Sequence, residues 1–293
     1  MRRFLLFLTF MPALAVHAQF TLPESDLWLL SLDPSSAGRP EPQRLTDRPG
    51  YNNQPFYSAD GRFIYYTRGG GPGTPGEGYT DLARLEPASG GDELLAETPL
   101  SEFSPRPIPG QAALAAVQVQ ADGAQWLVRF APETGCFTRI GSADNVGYHA
   151  WLDSGRVALL LVDEPNRLVL FDLERDQTLP IAAPAGRSLS AIRPLDALLL
   201  VAVAPEARRI EIWDPLTHQR SALISLPERS EDFSRAPNGD LWTASGSKLY
   251  RWRPGRDPNW FLAAELAPFG IAGITRLAIR PDGRALVLVA AEP

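Results

Sequence analysis

The chain has 293 residues, 44% of them apolar, enough for a sizeable core in two average domains or one large all-β domain. Its formal charge of −6 disfavours a nucleic-acid partner, and a single cysteine, Cys136, excludes an internal disulfide. The 28 prolines and 24 glycines are scattered between short apolar runs, a pattern of many turns and not of disorder.

Residues 1–18 read as an export signal. Arg2 and Arg3 supply a positive start, and Phe4 to Val16 is an apolar run too short for a comfortable membrane span. Val16-His17-Ala18 then places small residues at the −3 and −1 positions of a cut before Gln19. No cysteine follows for lipid anchoring, and later apolar runs such as Ala197 to Ala204 are only strand-length. The expectation is a periplasmic or secreted protein with no stable membrane insertion, its residues 19–293 forming one domain.

The first strong element is Arg44 to Arg68. Here the aromatic run Gln54 to Ser58 and the β-branched and aromatic run Arg62 to Thr67 flank Asp60-Gly61. Two β-rich runs joined by Asp-Gly predict a hairpin, because that pair accepts the positive φ of a tight turn. Equivalent turns follow at Pro109-Gly110, Ser154-Gly155, Leu195-Asp196, Asn238-Gly239 and Asp282-Gly283, at intervals of 41 to 49 residues. That is the period of four-stranded propeller blades. Each turn leads into a strand-like run, such as Ala112 to Val119 or Arg284 to Ala290.

A second pair of strands lies between successive hairpins. Its first members include Asp26 to Leu32, Asp81 to Leu85, Gln125 to Phe130, Arg167 to Leu173, Arg209 to Trp213 and Lys248 to Trp252. Most are followed by a polar turn and a short outer run, for example Thr138-Arg139-Ile140. Such a sheet buries its faces by stacking against neighbours around an axis. The prediction is an all-β, six-bladed propeller of four-stranded antiparallel blades. One blade takes two strands from each terminus, an outer pair from Asp26 to Thr46 and an inner pair from Ile274 to Ala290.

Pro55 to Tyr66 (PFYSADGRFIYY) resembles the PD40, or WD40-like, repeat of TolB-type six-bladed propellers. Ile279 to Arg284 is a second close copy, and Ala236 to Leu241 a third with Asn238 in place of Asp. The resemblance implies a protein- or peptide-binding propeller of the envelope. TolB-like propellers also occur fused to α/β-hydrolase domains, but the six blades are expected to use the whole mature chain, which has no Gly-x-Ser-x-Gly elbow.

Catalytic and metal-binding signals are sparse. Beyond His17, the histidines are His149 and His218, in different units and strand roles, and Cys136 has no partner at ligand spacing. Lactonase-like propellers hold a divalent ion in the central channel; Glu102, Asp232 and Asn53 are the oxygens that would serve here. Asp60, Asn238 and Asp282 read as turn residues, since Asp or Asn before Gly bonds nearby amides. The Gly69 to Gly78 run lacks the Gly-Lys-Ser/Thr ending of a phosphate loop. Trp28, Trp126, Trp213 and Trp252 share one strand role and are expected between blades.

Loops leading into the innermost strands gather at one mouth of a propeller channel, a usual place for ligands. Counting back seven residues from each turn glycine or its equivalent gives Gln54, Phe103, Tyr148, Leu189, Asp232 and Arg276, with Tyr51, Asn53, Glu102 and His149 nearby. The mixture of amides, acids, an arginine and aromatics suits a polar ligand or an extended peptide. The expectation is therefore a monomeric, non-catalytic scaffold without a cofactor, binding an envelope or secreted protein or peptide. The alternative is a small-molecule or metal-assisted, lactonase-like channel site.

Overall fold

A computed structural model of the chain describes residues 22–33, 41–70 and 77–291. The predicted export signal, the turn after Asp33 and most of the Gly69 to Gly78 run lie outside these residues. Among the described residues, 24 strands form six four-stranded sheets, every named pairing antiparallel. The sheets stand around one axis as the blades of a propeller. In chain order the inner strands are Asn52–Tyr57, Ser101–Pro107, Val146–Trp151, Ala185–Ile192, Phe233–Arg235 and Ala272–Ile279.

The last of these belongs to the blade shared by the two ends of the chain. Ala272–Ile279 pairs with Ala285–Ala291, which pairs with Ser25–Ser31, whose outer neighbour is Gln43–Arg44. The central junction is complete from Ser25 opposite Ala291 to Ser31 opposite Ala285. We call this blade one and number the others from Asn52 onward.

Six apolar clusters hold the ring, each lying between adjacent blades. Second strands show why. In Ala285–Ala291, Leu286 and Leu288 enter the cluster facing blade six, while Val287 and Val289 enter the one facing blade two. In Ala197–Val203, Leu198 and Leu200 face blade four, and Leu199 and Val201 face blade six. Both faces are covered, so these strands read as continuous apolar runs instead of alternating ones. Trp213, 1% exposed, closes the contact between blades four and five. Outer strands such as Gly91–Leu94 are exposed throughout.

Turn chemistry sets the ends of the inner hairpins. Asp60 Oδ1 accepts from Ser58 Oγ at 2.5 Å and from the Arg62 amide at 3.1 Å. Asp282 and Asn238 likewise accept from the amides of Arg284 and Asp240. Gly61 has φ +72°, and a Cβ there would lie 2.9 Å from the Arg280 side chain, so glycine is required on both counts. The third blade builds its turn differently. Ser58 carbonyl accepts from the Gly61 amide, but the matching Ile108 carbonyl accepts from Gln111, one residue beyond Gly110.

Candidate functional site

The inner strands enclose a cavity of about 820 Å³. One position per blade forms its deepest ring: Gln54, Ser104, Tyr148, Ser188, Asp232 and Arg276. Four of these were anticipated. At the other two positions the structure places Ser104 and Ser188 where the count gives Phe103 and Leu189; Leu189 also lines the cavity and Phe103 does not. The displaced glycine of the third blade explains the first error. The second arises because Asp196 ends a 3-10 turn, Arg193–Leu195, that replaces the usual hairpin end. The backbone marks the two positions as equivalent: Gln54 and Ser104 both carry positive φ, +55° and +56°, at bulges that interrupt the pairing register.

Hydrogen bonds run from blade to blade around this ring. Gln54 Oε1 accepts from the Ser104 amide and from Thr67 Oγ1, both at 2.8 Å. Ser188 Oγ bonds the backbone of Phe233 at 3.2 Å, and Asp232 Oδ2 accepts from the Leu277 amide at 2.8 Å. Arg276, on blade one, reaches across the axis to the opposite fourth blade. Its Nη2 donates to the Tyr148 hydroxyl at 2.8 Å, and its Nε donates to Asn53 Oδ1 at 3.3 Å. The guanidinium lies 5.0 Å from the Tyr148 ring centroid. Arg276 lines both the main cavity and a small one of about 90 Å³ beside Glu231 and Thr275, on the side of the leading loops. The main cavity is a cup with a floor at Arg276 and Tyr148.

The cup extends toward the hairpin turns, where Ala59, Gly110, Ala112, Pro194 and Pro281 line it. The sequence had pointed to the other mouth, that of the leading loops. Tyr51, Asn53, Glu102 and His149 are buried between blades there and do not line the cup. Tyr51 stands edge-on to Phe103 with ring centroids 6.5 Å apart, and burial pushes its phenol up to about 12. Glu102 accepts at Oε1 from Thr98 Oγ1 at 2.7 Å and Gln118 Nε2 at 2.9 Å; burial raises its pKa against those bonds. His149 Nε2 donates to the Ser104 carbonyl at 3.0 Å, which leaves Nδ1 unprotonated, buried and without a partner. Burial, and then the charge of Arg106, push the imidazole down to about 3, so it is neutral.

Arginines are the feature of the cup that the sequence count missed. Arg106, Arg187, Arg193, Arg235 and Arg276 line it with a single carboxylate, Asp232. No histidine or cysteine lines it; of its four serines, Ser188 and Ser234 are bonded to backbone of the next blade, and Ser104 Oγ is buried without a partner. The oxygens considered for an ion do not converge: Glu102 is held by Thr98 and Gln118, Asn53 accepts from a cation, and only Asp232 reaches the cup. Among the described residues, no three His, Cys, Asp or Glu side chains are grouped to hold a metal ion.

These features define a six-bladed β-propeller with a cup closed at one end. The fold is TolB-like. The structure is similar to that of a putative TolB from Agrobacterium tumefaciens, with a TM-score of 0.70 at 12% identity over 93% of this chain and 99% of that one. It is also similar to TolB from Acinetobacter baumannii, with a TM-score of 0.57 at 12% identity over 92% of this chain; it spans 65% of that protein. An oligogalacturonate lyase in complex with manganese shares the fold, with a TM-score of 0.53 at 15% identity over 86% of this chain and 80% of that one. No protein-family model matches the sequence, and no curated protein matches it. Among the described residues, no helix is long and apolar enough to cross a membrane.

Proposed function

We propose that this chain is an exported, non-catalytic propeller, working as a monomer, that captures an extended protein or peptide segment in its central cup. The cup carries the reading: it is large enough for a ligand, closed at one end, and lined by side chains fixed on strands. Its lining offers arginines, serine hydroxyls and apolar walls without a nucleophile held beside a base, which suits recognition. The similarity to TolB structures supports a binding propeller; the lyase likeness is one of fold.

The mouth gives a direct test. Ala59 and Ala112 are exposed at the rim and touch no core cluster. The double substitution Ala59→Trp with Ala112→Trp narrows the opening and leaves the blade contacts alone. Peptides selected on the immobilised protein from a displayed library should lose retention at least tenfold on the variant, at an unchanged melting temperature. Equal retention would place capture elsewhere.

Export is tested separately. Expression of the full chain should yield a protein in the periplasm or medium whose first residue is Gln19. A protein that stays in the cytoplasm with Met1 or Arg2 at its start would remove this part of the proposal.

A further inference from the structure

We propose that Arg106 and Arg276 form a carboxylate site at the floor of the cup, and that it takes the C-terminal carboxylate of a peptide entering end-on. This deepens the peptide-binding reading and rests on it. The first observation is charge. A chain with a net charge of −6 lines its central cavity with five arginines and one acid. Arg187 is matched by Glu231 at 3.4 Å. Arg106 and Arg276 take part in none of the ion pairs found among the described residues.

Arg106 is the more exceptional. Its guanidinium stacks 5.1 Å from the Phe56 ring centroid and makes one long bond, from Nη1 to the Leu189 carbonyl at 3.4 Å. The other donors of its five-donor fork point to no protein acceptor. Burial pulls its pKa down to about 10; the Asp232 charge opposes this and the Arg276 charge adds to it. Asp232 spends Oδ2 on the Leu277 amide and stays outside ion-pair distance. A partly buried cation whose nearest carboxylate stands outside ion-pair distance is costly, and an entering anion lowers that cost. Arg276 uses Nη2 and Nε on Tyr148 and Asn53 and also acts on the Tyr51 hydroxyl, which fixes the fork at the level of the ring. Two oriented guanidinium groups match a carboxylate in geometry as well as in charge.

The walls favour a peptide over an acidic sugar. Phe56, Pro107 and Ile192 rise from the floor toward the mouth. They suit the last side chains of a peptide, whose single terminal charge reaches the blind end. A polyuronate carries a charge on every ring and hydroxyls that need partners along the whole wall.

A library of hexapeptides with free C-terminal carboxylates, and the same library C-terminally amidated, gives the test by retention on the immobilised protein. The free acids should be retained on the order of tenfold better, as expected for a charge-assisted contact. Arg106→Gln should erase the difference, and Arg106→Lys should restore part of it. Equal retention of acids and amides by the unaltered protein would overturn the carboxylate site and leave peptide capture standing. Retention of neither library would overturn both readings. Binding of trigalacturonate in place of the peptides, lost in Arg106→Gln, would overturn the peptide assignment.

Discussion

Deleting Arg284 to Pro293 should abolish cooperative unfolding. The lost segment contains Ala285–Ala291, which lies between Ser25–Ser31 and Ala272–Ile279 in the shared blade. Its residues Leu286, Val287, Leu288 and Val289 are each 0% exposed and serve two different inter-blade clusters. At about 1.5–3 kcal/mol for each fully buried side chain, these four contribute roughly 6–12 kcal/mol, as much as the whole stability of an ordinary domain. The deletion also strips both neighbouring strands of their partner and opens the ring. Calorimetry or circular dichroism during heating should show a broad, weak transition or none. A sharp transition within a few degrees of the full chain would refute closure by the two termini.

Acid should destabilise the protein through His149, and His149→Gln should remove that sensitivity. The imidazole is fully buried, its Nε2 proton bonded to the Ser104 carbonyl, with the Arg106 charge near enough to oppose a second proton. Its folded pKa, about 3, lies below the ordinary 6.5, so the unfolded chain takes up the proton first as pH falls. Stability is intact above pH 6.5 and is lost progressively as pH falls toward 3. Between pH 7 and pH 4 the loss is roughly 3 kcal/mol from about 1.36 kcal/mol per pKa unit. Asp81 works in the other direction, because burial raises it to about 6 and the folded state holds its proton more tightly. That contribution is common to both proteins and cancels in their difference. Urea unfolding at the two pH values should show the variant losing about 3 kcal/mol less than the unaltered protein. The same loss in both would assign acid sensitivity to other groups.

The two predictions use different parts of the molecule. Closure rests on strands that the repeat period made legible, since every second strand begins just after a turn. The acid effect rests on His149, which had looked like a channel residue and is an inter-blade one. Neighbouring positions on a strand point to opposite sides, so an error of one residue moves a side chain from the channel to the core. Tyr148 and His149 show this directly: the first bonds Arg276 across the axis, and the second is enclosed between blades three and four. Phe103 and Ser104 make the same exchange, for the same reason.

The sequence alone determined the all-β class, the six repeats, the shared blade and the structural role of the Asp-Gly turns. Each is encoded locally, in turn residues and apolar runs whose spacing reports the blade. Tertiary structure decided which mouth leads to the cavity, because only the assembled ring shows Arg276 reaching Tyr148 and closing the other side. It also gathered Arg106, Arg187, Arg193, Arg235 and Arg276, spread over four blades, around one axis. Their separation along the chain hides the cluster, and a net charge of −6 hides its sign. The cup is a property of closure.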